Sequence, residues 1–186
     1  MTTAPPRITI AECKEPCRAV TFWSTETFTL TIQFQGRPEP QEVALSKQLD
    51  RRFGIETLPY RIVLGNIEVM LEKVDLIQSI DIYTNIDQWQ RARLSVLPTH
   101  LQNALVAFDV EYDGNHIASL EVPHTIIWDD TSQQLALCLG APSVPARWYA
   151  VADTVFFGLA DDCRLCEVRC TQVAIQTGVT GHVIQG

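Results

Sequence analysis

The residue types best suited to chemistry in this sequence are cysteines, and four of them form two closely spaced pairs. Cys13 and Cys17 make the first pair, and Cys163 and Cys166 make the second. Zinc is often held by paired cysteines on a tight turn, because one turn can direct two sulfur atoms at one ion. The four cysteines therefore predict, as one alternative, a zinc site or a redox centre. Cys170 could replace one of the four as a ligand. Cys163, Cys166 and Cys170 could also suggest an iron–sulfur cluster, but their order does not match the run of cysteines found in ferredoxins.

Three consecutive residues, Arg147, Trp148 and Tyr149, indicate contact with a ligand or a partner. Arg, Trp and Tyr are enriched where proteins bind one another. Adjacent residues of a strand face opposite ways, so we expect one of the two aromatic side chains to be exposed. The alternative is that Trp148 anchors the core, which is the commoner position of a large aromatic residue.

The usual catalytic patterns do not occur in the sequence. The four histidines include no pair spaced four residues apart, so no helical zinc pair is expected. Neither a glycine-rich phosphate loop nor a Gly-x-Ser-x-Gly turn is found. Asp161 and Asp162 could bind calcium or transfer a proton, but adjacent aspartates at a hairpin tip more often serve the turn itself. We therefore expect a protein that is not an enzyme.

Length and charge narrow the class of protein. The chain has 186 residues and a formal net charge of -8, so we expect one globular domain over 1–186 that does not bind nucleic acid. The N-terminal residues lack the basic and apolar regions of an export signal, and no run of about 18 apolar residues could span a membrane. We expect no membrane contact, a cytoplasmic location and cysteines that stay reduced.

Strand-like alternation dominates the chain. Phe28, Leu30, Ile32 and Phe34 alternate with polar residues, which predicts a half-buried strand. Comparable patterns recur at intervals of about ten residues with turn residues between them, and this spacing is typical of antiparallel sheets. The expected fold class is mostly β (α+β), with antiparallel sheets built from two similar hairpin-rich halves.

Two helices are predicted between the strands. Leu45, Leu49 and Phe53 recur every four residues, which predicts an amphipathic helix over about 42–53 that packs on a sheet. A second short helix is predicted over about 86–95.

Two stretches, 66–82 and 154–170, share one apolar pattern without a gap. An ancient duplication would explain the match and would relate two fused halves, about 7–98 and 99–175, by a pseudo-twofold axis. The alternative is that any two hairpins with short strands look alike. The sequence leaves both explanations open.

The same match bears on the cysteines. Cys170 falls where the first stretch has Ile82, an apolar strand position, which indicates that Cys170 fills space in the core. The turn between Cys163 and Cys166 also lacks the glycine that zinc knuckles usually carry. We therefore expect no cofactor, with zinc as the alternative.

The stretch TIIWDDTSQQLALCLG, followed by VADTVFFGLADDCRLCEVRC, resembles a small uncharacterised bacterial β-hairpin domain of unknown function. In that domain a Tyr-Asp turn precedes a strand with a Leu-Tyr-Ile core, and an Asp-Gly hairpin leads into a Gly-Ile-Glu-Ile strand. Here Trp128 and Asp129 stand at the first turn, 135–139 at the strand and 161–165 at the hairpin. This chain has Cys163 where that domain has the hairpin glycine, and Cys170 where it has the last isoleucine of the strand. The resemblance implies a fold and no activity.

The leading functional hypothesis from the sequence is a non-catalytic module that contacts another protein or a second copy of itself. The first alternative is a zinc or redox protein that uses Cys13, Cys17, Cys163 and Cys166. The second alternative is a small-ligand-binding protein with a cleft between the two halves.

Overall fold

The computed structural model describes residues 4–14, 17–35, 59–73 and 76–176, and these ranges fold mainly into strands. The amphipathic helix predicted over 42–53 lies outside the described residues. The strands are β1 (Arg7–Glu12), β2 (Arg18–Ser24), β3 (Thr29–Gln35), β4 (Tyr60–Leu64), β5 (Ile67–Lys73), β6 (Leu76–Tyr83), β7 (Gln90–Arg91), β8 (Gln102–Asp109), β9 (Ile117–Leu120), β10 (His124–Asp129), β11 (Gln134–Leu139), β12 (Arg147–Ala150), β13 (Val155–Leu159), β14 (Leu165–Cys170) and β15 (Val173–Gln176). The β-rich class predicted from alternation is confirmed.

The strands form two sheets. One has eight strands in the order β1-β8-β12-β13-β14-β11-β10-β7, and the other has seven in the order β15-β2-β3-β6-β5-β4-β9. Most neighbouring strands are antiparallel, but β7 with β10, β8 with β12, β15 with β2 and β4 with β9 are parallel. The prediction of antiparallel sheets therefore holds for most neighbouring strands, but these four pairs make both sheets mixed. Each of these parallel pairs joins strands that are far apart in the chain. The alternation of apolar and polar residues is local, so it does not predict such a pairing.

Strands cross between the two predicted halves in both directions. The eight-stranded sheet is built mainly from the second half but takes β1 and β7 from the first. The seven-stranded sheet is built mainly from the first half but takes β9 and β15 from the second. The two stretches matched in the sequence both form antiparallel hairpins, β5 with β6 and β13 with β14. Their origin by duplication stays a prediction.

One apolar cluster draws on both sheets and forms the core. Its fully buried members include Leu30 and Ile32 of the seven-stranded sheet and Leu135 and Phe157 of the eight-stranded sheet. They occupy alternate strand positions because successive side chains point to opposite faces. A strand therefore contributes every second side chain to the shared interior.

The prediction of a second short helix over 86–95 is wrong. Within this range the chain forms a 3-10 turn at Ile86–Gln88 and no α-helix, and the side chain of Asn85 accepts a hydrogen bond from the backbone N–H of Asp87 at 3.1 Å. The chain leaves this turn because Trp89 is buried, with its ring 5.9 Å from that of Trp23. The residues after Trp89 pair with β10 as β7. Burial of a large aromatic ring and strand pairing together outweigh the local helical pattern.

Among the described residues, no helix is long and apolar enough to cross a membrane.

Candidate functional site

A cleft of about 420 Å³ opens where β1 meets the hairpin that joins β13 to β14. One wall is the first part of β1, and the other is made by β12 and the hairpin turn. The polar residues lining the cleft are Arg7, Asp109, Arg147, Tyr149, Asp162 and Cys163, and the apolar ones include Ile8, Ile10 and Leu159. The cleft therefore combines residues from both predicted halves of the chain.

Backbone hydrogen bonds hold β1 against the hairpin turn. The N–H of Ile8 donates to the carbonyl of Cys163 at 2.9 Å, and the N–H of Leu165 donates to the carbonyl of Pro6 at 3.0 Å. Cys163 has a positive φ of 64°, and its N–H donates to the carbonyl of Ala160 at 3.0 Å. This closed turn fixes the position of the Cys163 side chain at the cleft.

The closest polar contact in the cleft joins Arg147 to Cys163. Nη2 of Arg147 lies 3.3 Å from Sγ of Cys163 and donates to the carbonyl of Asp161 at 3.2 Å. The hydrogen bond to the sulfur is the largest cause of a raised pKa at Arg147, so the guanidinium keeps its charge. A permanent cation therefore lies beside a cysteine sulfur.

Charges of both signs line the cleft. Arg7 lies opposite Asp109 in the register of β1 and β8. Asp162 forms an ion pair with Arg164, with 3.2 Å between Oδ2 and Nε. A ligand that carries both a carboxylate and an ammonium group would match this mixed lining better than a simple anion would.

The three predicted contact residues divide between two faces. Arg147 and Tyr149 line the cleft, whereas the half-buried Trp148 lies on the other face of β12. There the ring of Trp148 covers Gly158 and lies 5.4 Å from the guanidinium carbon of Arg169. The alternation of adjacent strand residues explains the division.

The four cysteines proposed as zinc ligands do not converge. Cys13 follows the far end of β1, about 17 Å along an extended chain from the point where Ile8 meets Cys163. The thiol of Cys17 donates to the carbonyl of Gln35 at 3.0 Å, and that of Cys166 donates to the carbonyl of Gly158 at 3.2 Å. Within the described ranges, no group of three or more His, Cys, Asp or Glu side chains is placed to hold a metal ion. Zinc binding stays a prediction that metal analysis of the purified protein tests.

Two other cysteines are poor nucleophiles for a physical reason. Burial raises the pKa of Cys138 to about 11 and that of Cys170 to about 12. A thiol with such a pKa holds its proton at neutral pH, and only the thiolate reacts. Cys170 is completely buried in the apolar cluster, at the position that the sequence indicates for a core filler.

A buried ion pair was not anticipated from the sequence. Arg169 and Glu167 are both buried on β14, and Nη2 of Arg169 lies 2.5 Å from Oε1 of Glu167. Nη1 of Arg169 donates to the carbonyl of Ser95 at 2.8 Å. The available signal was a pair of opposite charges two residues apart in an apolar strand, which places both on one face.

Arg7 was also missed, because it lies beside a short N-terminal stretch without a distinctive pattern. Its place in the cleft results from the pairing of β1 with β8 and with the hairpin turn. Both contacts are distant in sequence, so no local pattern could have indicated them.

A comparison with models of known protein families finds no match for this sequence, and a comparison with curated proteins finds none either.

Proposed function

We propose that this protein binds a small zwitterionic ligand, of the amino-acid or short-peptide class, in the cleft between β1 and the β13–β14 hairpin. The observation that carries the proposal is the convergence of Arg7, Asp109, Arg147 and Cys163 on one cleft. A cleft of about 420 Å³ falls within the range of small-molecule sites, roughly 300–1,000 Å³.

Each group in the cleft has a role that follows from its chemistry. The planar guanidinium of Arg147 can form two parallel hydrogen bonds with a carboxylate. Asp109 can accept hydrogen bonds from an ammonium group. Tyr149 and Ile10 supply surface against which the carbon atoms of the ligand pack.

A binding measurement with matched variants tests the proposal. A panel of free amino acids and dipeptides is titrated into the isotopically labelled protein, and backbone amide shifts are followed by NMR. We expect saturable shifts at β1 and at the hairpin turn, and Arg147→Gln weakens binding about tenfold or more because a charged hydrogen bond is lost. Arg91→Gln, which alters an exposed arginine paired with Asp130, leaves the affinity unchanged. Shifts that never saturate, or an equal loss in both variants, would contradict the proposal.

A second candidate function is self-association through the outer edge of β15. The seven-stranded sheet ends at this strand, and no other described strand pairs with its outer side. Natural proteins protect sheet edges with charges, proline or bulges, but the sequence Val173–Gln176 contains no charged residue and no proline. Ile175 on β15 and Val20 on the neighbouring β2 are each 44% exposed. A second copy of the chain can add its own β15 in the antiparallel direction that a twofold axis requires.

Sedimentation velocity over the micromolar range tests this second candidate. We expect a dimer that Ile175→Lys converts to a monomer, because a charge on the edge opposes strand pairing. Val144→Lys places the same charge on an exposed valine outside the strand and leaves the dimer intact. A wild-type monomer throughout the range removes the candidate.

We also infer that the protein works in the cytoplasm. Within the described residues no disulfide joins any of the six cysteines, and reduced cysteines are typical of a reducing compartment. Fractionation of the native cell, with thiol labelling before lysis, tests this inference.

A further inference from the structure

We propose that the cleft is a thiol–disulfide exchange site, in which Cys163 reacts with the disulfide of a cysteine-derived, zwitterionic thiol. This inference rests on the proposed ligand-binding function, because it assigns a chemical class to the ligand of the same cleft. Three features support it: the cleft, the acidic and basic side chains that line it, and the position of the Cys163 sulfur among them.

Cys163 differs from the other cysteines in its surroundings. It is partly exposed and lines the cleft, whereas Cys17, Cys166 and Cys170 are buried. Reactive cysteines characteristically occupy partly exposed sites with positive charge nearby. Burial makes these three thiols inaccessible to a disulfide as large as two amino acids. Cys13 and Cys138 are partly exposed like Cys163, but neither lines the cleft.

Arg147 supplies the positive charge at Cys163. Its Nη2 is 3.3 Å from Sγ of Cys163, so the guanidinium attracts the negative charge that a sulfur carries when it attacks. The same guanidinium is anchored by the carbonyl of Asp161. The contact is therefore built into the turn and does not depend on the ligand.

The exchange balances without a further reactant. Cys163 first loses its proton to water, and the thiolate attacks one sulfur of the small disulfide. A new S–S bond to Cys163 forms as the S–S bond of the small disulfide breaks, and the departing sulfur takes the bonding electron pair and then a proton from water. Cys163 is oxidised and one half of the small disulfide is reduced, so the disulfide itself is the oxidant.

The charges of the cleft select the disulfide. A cysteine-derived disulfide carries carboxylates and ammonium groups next to its sulfurs, and the cleft offers Arg7, Arg147 and Asp109 around Cys163. An uncharged disulfide such as 2-hydroxyethyl disulfide has the same reacting bond but lacks these groups. Comparison of the two separates the reactivity of the sulfur from recognition of the ligand.

The test is intact-mass and peptide-mapping mass spectrometry of the full chain with oxidised glutathione at neutral pH. We expect one mixed disulfide, located at Cys163, which a reducing agent removes. Cys163→Ser abolishes the adduct, and the matched variant Cys13→Ser retains it. Unchanged thermal unfolding of both variants shows that each one folds.

Rates measured with the two disulfides refine the test. Arg147→Gln slows the reaction with oxidised glutathione roughly tenfold, the effect of losing one charged hydrogen bond. Arg7→Gln slows the reaction with oxidised glutathione more than the reaction with 2-hydroxyethyl disulfide, because only the first disulfide carries carboxylates that Arg7 can bind. High salt reduces the preference for the charged disulfide, because it screens exposed charges.

The outcomes separate this inference from the proposed function. If Cys163→Ser still binds reduced glutathione reversibly but the wild type forms no adduct at Cys163, the exchange inference is overturned and the binding function stands. If neither binding nor an adduct is found, both are overturned. An adduct spread evenly over Cys13 and Cys163, with no effect of Arg147→Gln, overturns the inference by showing nonspecific oxidation.

Discussion

The guanidinium of Arg169 and the carboxylate of Glu167 form an ion pair that is closed off from water on the outer face of the eight-stranded sheet. Arg169 is only 1% exposed, and both its Nε and its Nη2 contact Oε1 of Glu167, at 2.7 and 2.5 Å. The carbonyl of Ser95 and the ring of Trp148 complete the surroundings of Arg169. The pair thereby ties the segment that contains Ser95 to β14.

Arg169→Met leaves the Glu167 carboxylate buried without its partner, and we expect a loss of about 3–5 kcal/mol in the free energy of unfolding. The double variant with Glu167→Gln recovers part of this loss, because it removes the isolated charge. Urea unfolding measures both values. Arg61→Met breaks the more exposed pair with Glu68 and should cost no more than about 1 kcal/mol. Equal losses for Arg61→Met and Arg169→Met would show that burial does not set the cost.

Gly158→Ala places a methyl group where no room exists. A Cβ at Gly158 would lie 2.6 Å from Cγ of Pro145 and 3.1 Å from the ring of Trp148. We expect destabilisation of about 1–3 kcal/mol, because a packed neighbour must move. Gly114→Ala is the matched control, since a Cβ there meets nothing within 4 Å. Thermal unfolding of the two variants gives the comparison, and an undisturbed Gly158→Ala protein would refute this packing.

The hydrogen bonds of the Asp129 carboxylate make the free energy of unfolding depend on pH. The backbone N–H groups of Leu94, Thr131 and Ser132 donate to its carboxylate at 3.1, 2.9 and 3.3 Å. The bond from Leu94 is the largest of the causes that lower the pKa of Asp129 from 3.8 to about 2. A carboxyl whose pKa falls on folding stabilises the protein above its unfolded pKa, and the effect disappears as pH falls from 3.8 towards 2.

Asp129→Asn therefore destabilises the protein most near neutral pH, and the difference from wild type shrinks as pH falls through that window. Denaturant midpoints at pH values on either side of the window measure the effect. Asp130→Asn keeps the acid dependence of the wild type, because Asp129 is intact. A constant difference between Asp129→Asn and wild type at all pH values would contradict the assigned hydrogen bonds.

Thiol alkylation separates the cysteines by burial. Because burial raises the pKa of Cys138 to about 11 and that of Cys170 to about 12, we expect neither to react with iodoacetamide at neutral pH in the folded protein, whereas Cys163 reacts. All six cysteines react once urea unfolds the chain. Peptide mass spectrometry after timed quenching measures the order. Modification of Cys138 as fast as Cys163 would count against the described packing of β11.

The sequence by itself determined strands with clear alternation, such as β3, and the separation of their adjacent side chains onto opposite faces. Alternation at positions such as Leu30 and Ile32 is a local property, since it follows from the period of two in an extended chain. The same periodicity predicts that Trp148 and Tyr149 face opposite ways on β12, but both side chains are half-buried, so the expected exposed aromatic is not seen. Cys170 was likewise recognisable as an interior residue from its place in an apolar pattern.

Only the tertiary structure decided which strands become neighbours and therefore which side chains share a site. Arg7 and Arg147 lie near opposite ends of the chain, and their common cleft depends on β1 joining the eight-stranded sheet. Sheet pairing satisfies backbone groups of almost any sequence, so no short pattern specifies the partner. The helix predicted over 86–95 does not form for a related reason. Burial of Trp89 against strands distant in the sequence outweighs the helical pattern of the residues around it.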